Sequence, residues 1–185
     1  MNKKHAAIVV ASFVLLAATI ARAAKRPLQV MPSVDLTRYA GKWYEIARLP
    51  NNFQKKCVGE VIANYTLKPD REIAVANRCR EANGKIAEAK GTARRADKNK
   101  PNSILEVRFA PSFLAFLPFV WGDYQIIALG DAYSHAMVGT PDRKYLWILS
   151  RTPQLDEAIY GRLVAEAKEQ GFEASRLQKT RQAGS

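Results

Sequence analysis

Histidine and cysteine are scarce in this chain of 185 residues, which contains only two of each. We expect no metal site, because one of the two histidines, His5, lies in an N-terminal segment that we predict to be removed. The sequence also has no G-x-S-x-G motif, which marks the nucleophile of many serine hydrolases. These absences remove most of the side chains that nucleophilic or metal-dependent catalysis requires, so we expect neither an enzyme nor a bound cofactor.

A further absence is a hydrophobic run long enough to span a membrane. The longest run, residues 6–20 (AAIVVASFVLLAATI), has 15 residues, whereas a transmembrane helix needs about 20. Two lysines precede this run and Ala-Arg-Ala follows it, as in a secretory signal peptide. We predict a signal peptide over residues 1–23 that is cleaved near Ala23, with a retained membrane anchor as the alternative. No cysteine stands near this cut, so a lipid cannot be attached there.

Acidic residues are fewer than basic ones, which gives a formal net charge of +12. A basic surface suggests anionic partners such as lipid head groups or nucleic acid. Export argues against nucleic acid, so we expect none, and we interpret the densest basic run, residues 90–100, as a solvated hairpin. The even number of cysteines favours a disulfide in an exported protein.

Short segments with the hydrophobic pattern of β-strands recur at regular spacing. In one of them Leu105, Val107 and Phe109 alternate with Glu106 and Arg108, which is typical of a half-buried strand. About eight antiparallel strands in an open sheet would leave two edges exposed, so we expect the sheet to close into a barrel. The predicted strands cover residues 43–49, 57–67, 73–79, 86–96, 104–110, 123–129, 134–139 and 145–150.

The hydrophobic period becomes helical after Pro153. Apolar residues at helical spacing run from Leu155 to Ala167, and Gly171 follows as a C-cap, so we predict one helix here. A short last strand is predicted over residues 172–177. We divide the mature chain into a linker (24–33), one barrel domain with its helix (34–178) and a flexible tail (179–185).

Three segments resemble the signature segments of the lipocalin family. They are GKWYEIARLPNNF, GDYQIIAL and YLWILSRTP, and they begin at Gly41, Gly122 and Tyr145. The resemblance covers roughly residues 34–178 and is strongest to the bacterial outer-membrane lipocalin and apolipoprotein D branch. It implies an all-β fold, an eight-stranded antiparallel up-and-down barrel with a C-terminal α-helix packed outside.

The resemblance also implies roles for five signature residues. Gly41 and Trp43 would stand at the closed end of the barrel, with the Arg151 guanidinium over the Trp43 ring. Asp123 and Tyr124 would lie in a loop at that same end. We interpret all five as structural, since an arginine over an indole gains cation–π energy and can bind the backbone carbonyls that close the barrel.

The resemblance implies a carrier of a fatty acid or lysophospholipid, in the periplasm or at the outer membrane, that supports the cell envelope. An eight-stranded barrel can hold one small ligand or simply fill its interior. By alternation, the residues expected to face the interior are Tyr65, Val75, Leu105, Val107, Phe109, Ile126, Ala128, Tyr145 and Trp147. A slip of one residue in any strand would exchange its two faces.

The connection over residues 110–122 is unusually rich in hydrophobic residues, which rarely remain on an exposed loop. Three alternatives are open: the loop folds over the barrel, it dips into a membrane surface, or it contacts a protein partner. We expect contact with lipid, and a monomer or a weak homodimer. The residues expected to make this contact are Phe113, Leu114, Phe116, Leu117, Phe119 and Trp121.

Cys57 opens the second predicted strand and Cys79 ends the third. The turn at residues 68–71 would bring the two cysteines nearly opposite each other, so we predict a cross-strand disulfide, with free thiols as the alternative.

Two other functions remain as alternatives to the lipid carrier. One is a lipid-modifying enzyme, and the other is a haem or tetrapyrrole carrier in which His135 is the one histidine of the mature chain able to ligate iron.

Overall fold

A computed structural model describes residues 26–183. The predicted signal peptide, residues 1–23, lies outside the described residues. Within residues 26–183 no helix has the length and hydropathy needed to cross a membrane.

Eight antiparallel strands form a closed barrel, as predicted. Each strand pairs with the next along the chain, and β1 also pairs with β8, which closes the sheet. A ninth, two-residue strand pairs with the last two residues of β1, Ala47 and Arg48. The strands are β1 Gly41–Arg48, β2 Cys57–Leu67, β3 Ile73–Glu81, β4 Ile86–Arg95, β5 Ile104–Arg108, β6 Gly122–Leu129, β7 His135–Gly139, β8 Leu146–Ser150 and β9 Gln178–Lys179.

The two ends of the barrel differ. At the closed end a short helix, α1 (Leu36–Tyr39), leads into β1 and buries Tyr39 in the barrel. Asp35 caps α1 by accepting hydrogen bonds from the Thr37 and Arg38 amides. The opposite end, called the mouth below, is formed by the loops over residues 49–56, 82–85, 109–121 and 140–145.

The helix after the barrel, α2 (Glu157–Glu169), packs on the outside of the sheet, as predicted. Asp156 caps its first turn through the Ala158 and Ile159 amides, and Gly171 takes the left-handed conformation (φ 87°) just after its end. Leu163 and Ala167 are the buried residues of its apolar face. They join an outer core with strand residues such as Ile127, Met137, Leu146 and Ile148.

A second, inner core fills the closed half of the barrel. It is built around Trp43 and Tyr39, and it includes Leu105, Ile126 and Val138. The sequence pattern predicted Ala128 on this inner side as well, and that orientation is wrong. A β-bulge between Ile126 and Ala128 shifts the register against β7, so Ala128 turns outward into the core beneath α2.

The chain segments before and after the barrel pack against it. Leu28, in the segment interpreted as a linker, is buried in the outer core, and the Met31 amide donates to the Ile126 carbonyl. The C-terminal segment up to Gln182 packs against the barrel, in contrast to the flexible tail that was predicted. The Gln182 side-chain amide donates to the carbonyls of Glu45 and Val61. These carbonyls need such partners because the direct pairing of β1 with β2 ends at Tyr44.

Gly59 permits the close approach of this C-terminal segment. A Cβ atom at Gly59 would lie 2.6 Å from the Arg181 carbonyl oxygen, and the neighbouring Glu60 amide donates to that same oxygen. The short last strand is therefore Gln178–Lys179, later than the residues 172–177 that the sequence indicated.

Candidate ligand-binding site

A cavity of about 830 Å³ occupies the mouth half of the barrel. Most of the residues expected to face the interior line it: Tyr65, Val75, Leu105, Val107, Phe109, Tyr145 and Trp147. Ile126 is fully buried in the inner core but does not reach the cavity, and Ala128 lies beneath α2. The interior of the barrel is therefore not completely filled by side chains, which was the alternative to a cavity.

Three tyrosine hydroxyls meet at the floor of the cavity. The hydroxyl oxygens of Tyr39 and Tyr124 are 2.7 Å apart, and Tyr124 donates to the Tyr65 hydroxyl at 3.0 Å. Burial raises the pKa of Tyr65 to about 12 and raises the pKa values of Tyr39 and Tyr124 well above the usual range. All three hydroxyls therefore stay protonated at neutral pH and remain able to donate hydrogen bonds.

One wall of the cavity carries a buried carboxylate, Glu45, which is only 2% exposed. Arg48 Nη1 lies 2.7 Å from the carboxylate oxygen Oε1, which also accepts from the Thr180 hydroxyl. Gln54 Nε2 lies 2.6 Å from the other oxygen, Oε2. The Trp147 indole donates to Gln54 Oε1 at 3.0 Å, which fixes the orientation of this aromatic wall. The Glu45 charge is thus paired and hydrogen-bonded, as a buried charge must be.

The sequence interpretation left Glu45 without a role. Its position in the sequence could have placed it in the interior, because Glu45 follows Trp43 by two residues and therefore faces the same side of β1. Its partners Gln54 and Thr180 come from the mouth loop and the C-terminal segment, and these two could not be identified from spacing along the chain.

Asn77 on β3 is a second polar residue of the cavity wall. Its Oδ1 atom is buried and has no hydrogen-bond partner within residues 26–183. Such atoms are uncommon in folded proteins, because an unpaired buried acceptor loses its hydration without compensation.

The closed end is held by Trp43 and Arg151. The Arg151 guanidinium carbon lies 3.8 Å from the centre of the Trp43 ring. Its two terminal nitrogens donate to four backbone carbonyls, those of Arg38, Tyr39, Ala40 and Lys42. Gly41 has φ 97°, and a Cβ atom there would lie 3.3 Å from Arg151 Nη1. Glycine at this position permits both the turn and the close approach of the arginine.

The resemblance implied that Asp123 and Tyr124 lie in a loop at the closed end, and this expectation is wrong. They belong to β6, opposite Glu106 and Leu105 of β5, and both line the cavity. Because successive side chains of a strand point to opposite faces, Tyr124 points into the barrel, where its hydroxyl contacts those of Tyr39 and Tyr65.

The closed-end loop that touches Arg151 is formed by residues 130–134. The Arg38 guanidinium carbon lies 4.2 Å from the centre of the Tyr133 ring, and the Tyr133 hydroxyl accepts from the Asp35 amide. Its carbonyl accepts from Arg151 Nε. The sequence did not single out Tyr133, because this residue lies in the connection between two predicted strands.

The predicted disulfide between Cys57 and Cys79 is present, with the two Cα atoms 5.6 Å apart. Cys57 is paired in register with Glu81, so the bridge runs diagonally between β2 and β3. Both cysteines line the cavity near the mouth.

The hydrophobic loop of residues 109–121 lies at the mouth. Its last part folds back, since the Trp121 indole donates to the Ala115 carbonyl and stacks under the Arg94 guanidinium, 3.9 Å from the ring centre. Trp121 and Phe119 line the cavity, and Leu114 and Leu117 are half-buried. Three phenylalanine rings nevertheless stay largely exposed: Phe113 at 73%, Phe116 at 78% and Phe119 at 79%.

His135 lies at the start of β7, at the closed end, and does not line the cavity. Its ring nitrogen Nδ1 is 3.0 Å from the Ser134 hydroxyl. A haem held in the cavity would therefore not reach this histidine. Within residues 26–183 no group of three or more His, Cys, Asp or Glu side chains is arranged to hold a metal ion.

The amino-acid sequence of the chain is similar to those of several known proteins. Residues 34–182 match the family model of the lipocalin-like domain. The chain is 43% identical to temperature-induced lipocalin-1 of Arabidopsis thaliana over 159 residues, which cover 85% of this chain and 84% of that protein. It is 37% identical to the outer membrane lipoprotein Blc of Vibrio cholerae over 155 residues, covering 82% of this chain and 85% of that protein.

Solved structures share the fold at much lower sequence identity. Insecticyanin from the tobacco hornworm Manduca sexta superposes with a TM-score of 0.64 at 19% identity. The match covers 86% of each chain.

Proposed function

The chain belongs to the lipocalin family, and on this premise we propose that its barrel binds a small amphipathic lipid, either a fatty acid or a lysophospholipid. The family resemblance deduced from three sequence segments is confirmed by the match over residues 34–182. The observation that carries the proposal is the cavity of about 830 Å³, which lies within the range of about 300–1,000 Å³ typical of ligand pockets.

The walls of the cavity suit an acyl chain, and its mouth suits an anionic head group. Val75, Leu105, Val107 and Leu149 supply apolar surface along the interior. The mouth loops carry exposed lysines at positions 55, 56, 85 and 144, which favour the approach of a carboxylate or phosphate. We therefore place the head group at the mouth and the chain in the barrel.

We propose a carrier rather than an enzyme. Both cysteines are joined in the disulfide, so neither is available as a nucleophile. His135 is remote from the cavity, and Glu45 is occupied by Arg48, Gln54 and Thr180. An activated nucleophile would need a free base within hydrogen-bond reach.

Filling the cavity from within should abolish lipid binding. We expect Ala63→Phe, which inserts a ring from β2 into the cavity, to weaken binding of hexadecanoic acid and of a lysophospholipid by at least about tenfold. Isothermal titration calorimetry on protein stripped of lipid measures both affinities.

Ala76→Phe is the matched control for this substitution. Ala76 lies between Val75 and Asn77 on β3 and so faces outward, opposite Asn64. This variant should keep the affinity of the unmodified protein. Titrations in which neither lipid binds the unmodified protein would refute the carrier proposal.

We also propose that the mouth contacts a membrane surface in the periplasm, after export. Phe113, Phe116 and Phe119 present exposed rings beside the basic loops of the mouth, a combination that favours insertion at the interface of an anionic bilayer. Contact at this end would bring the mouth of the cavity to the lipid. We propose that this contact supports lipid homeostasis of the cell envelope, and the outer membrane lipoprotein among the relatives favours this role.

The triple variant Phe113→Ser, Phe116→Ser, Phe119→Ser should lose most of its affinity for anionic vesicles. Removing three exposed rings deletes the apolar surface that inserts, at roughly 25 cal/mol per Å². Cosedimentation with phosphatidylglycerol vesicles should show at least about a tenfold loss of bound protein. A far-ultraviolet circular dichroism spectrum like that of the unmodified protein would demonstrate that the variant is folded, and unchanged cosedimentation would show that the three rings do not contact lipid.

A further inference from the structure

The barrel wall has a gap between β1 and β2 in its mouth half. Direct pairing of the two strands ends at Tyr44 and Ile62, and nearer the mouth both strands form hydrogen bonds with a third segment. That segment is residues 178–182, called the C-terminal strap below, and it lies between the two strands. It contains β9, which pairs with Ala47 and Arg48. The strap therefore takes the place of a direct β1–β2 ladder in this part of the wall.

Backbone hydrogen bonds hold the strap on both sides. The Thr180 amide donates to the Ile46 carbonyl of β1 at 2.8 Å, and the Glu60 amide of β2 donates to the Arg181 carbonyl at 2.7 Å. The β2 strand is shaped to receive the strap, because Gly59 has no Cβ atom to strike the Arg181 carbonyl and Glu60 takes a left-handed conformation (φ 51°). One strand thus fits between β1 and β2.

The strap lies directly behind the lining of the cavity. The Gln182 nitrogen Nε2 is 2.7 Å from the Glu45 carbonyl oxygen and 3.1 Å from the Val61 carbonyl oxygen, so one side-chain amide spans the gap. The Thr180 hydroxyl donates to the Glu45 carboxylate. Both Glu45 and Val61 line the cavity. Withdrawal of the strap would therefore open the cavity to the side.

Polar contacts hold the strap in place. None of residues 178–182 belongs to the inner or the outer core, and the side chains of Gln178, Lys179 and Arg181 are exposed. Lys179 also pairs with Glu157 of α2, but an exposed ion pair adds little. Hydrogen bonds of the strap can be replaced by hydrogen bonds to water at small net cost, whereas the eight barrel strands carry both cores. We therefore expect the strap to open locally while the barrel stays folded.

The gap is wide enough for an acyl chain. A gap that holds one strand separates β1 from β2 by about two strand spacings, or roughly 9–10 Å. An acyl chain is no wider than the extended polypeptide that it would replace. The gap begins at the mouth, where β1 ends and β2 starts, so its opening extends the mouth downwards as a slit. A lipid whose head group stays at the mouth can then move its chain sideways through this slit.

We propose that the C-terminal strap is a side gate of the cavity. When the strap leaves its seat, the acyl chain passes between β1 and β2, and when it returns, it retains the chain. The gate rests on the proposed lipid binding and adds the route by which the lipid is exchanged. A gate alters the barrier between free and bound protein rather than the two end states, so it changes both exchange rates and leaves the affinity nearly constant.

A covalent cross-link tests the gate by keeping it shut. Ala47 and Lys179 face each other in the antiparallel ladder, where paired Cα atoms are about 4.5–5.5 Å apart, a distance that a disulfide spans. The oxidised variant Ala47→Cys, Lys179→Cys should take up and release the fluorescent cis-parinaric acid at least about tenfold more slowly than the variant with serine at both positions. Stopped-flow fluorescence measures both rates, and the dissociation constant should stay the same.

Two further variants should loosen the gate. Gln182→Ala removes the amide that spans the gap and should raise both rates about three- to tenfold, as expected for the loss of about one net hydrogen bond. Gly59→Ala should act in the same direction, because its Cβ atom would lie 2.6 Å from the Arg181 carbonyl oxygen. The matched controls are Gln178→Ala, at an exposed strap side chain, and Gly161→Ala, where a Cβ atom meets open space. Neither control should change the rates.

Hydrogen exchange tests the opening without a ligand. The Thr180 and Glu60 amides, which hold the strap, should be at least about 100-fold less protected than the Ile126 amide, which donates to the Ser103 carbonyl beside the inner core. Equal protection of the three amides would mean that the strap opens only when the barrel unfolds, and would overturn the gate.

The kinetic outcomes separate the gate from lipid binding itself. A cross-linked protein that exchanges cis-parinaric acid as fast as its serine control would overturn the gate, leave the carrier proposal intact and assign exchange to the mouth alone. A change in affinity with constant uptake rate would also overturn it, since that result would make the strap part of the binding site. If the unmodified protein binds no cis-parinaric acid, the carrier proposal and the side route both fail.

Discussion

Replacing Trp43 with alanine should lower the free energy of unfolding by about 3–5 kcal/mol, the loss typical of a fully buried tryptophan. The side chain is completely buried in the inner core, and its indole donates to the Tyr39 carbonyl at 2.8 Å. Its removal would also leave the Arg151 guanidinium without the ring that it covers. Urea denaturation followed by far-ultraviolet circular dichroism measures the difference.

Trp121→Ala is the matched control, because it makes the same change at the mouth. Trp121 is half-buried and contacts the guanidinium groups of Arg94 and Arg108 on the edge of the barrel. We expect it to cost about 1 kcal/mol or less, as partly exposed cation–π pairs do. Equal losses for the two tryptophans would show that Trp43 is not a special support of the closed end.

The strands could be predicted from sequence because their signals are local. Alternation in Leu105, Val107 and Phe109, together with turn residues between segments, identifies a strand without knowledge of its neighbours. The eight predicted strands correspond to β1–β8, and the helix lies where the period of hydrophobic residues changes. Closure of the sheet followed from the cost of exposed edges.

The features that the sequence did not reveal depend on contacts between distant segments. Ala128 points outward because of a β-bulge against β7, and a pattern of alternation cannot register an inserted residue. Gln182 is held by carbonyls of β1 and β2 that lie more than 120 residues earlier in the chain. Tyr133 acts at the closed end through Arg38 and Asp35, which precede β1.

The cavity illustrates the same limit. Seven of the nine predicted interior residues line it, because alternation fixes the face of a regular strand. The polar members Glu45 and Asn77 were not among them, since their roles depend on which partners they find or lack. These two polar groups become evident only from the hydrogen bonds of the folded chain.

The second large effect is expected from the disulfide. Replacing both Cys57 and Cys79 with alanine should lower the free energy of unfolding by about 3 kcal/mol, because the bridge closes a loop with a sequence separation of 22. The β2–β3 pairing shifts register between Cys57 and Gly59 and again before Ile62, so the ladder is interrupted where the bridge lies. The covalent link therefore fixes a region of the mouth that backbone hydrogen bonds hold only in part.

Hydrogen exchange should locate this loss at the mouth. Without the bridge, amides over residues 57–62 should exchange faster, whereas those over residues 63–67, in the regular part of the ladder, should change much less. Reduction of the unmodified protein should reproduce the destabilisation, and reductant should have no effect on the double variant. A loss below about 1 kcal/mol would mean that packing between β2 and β3, rather than the bridge, keeps the mouth of the barrel together.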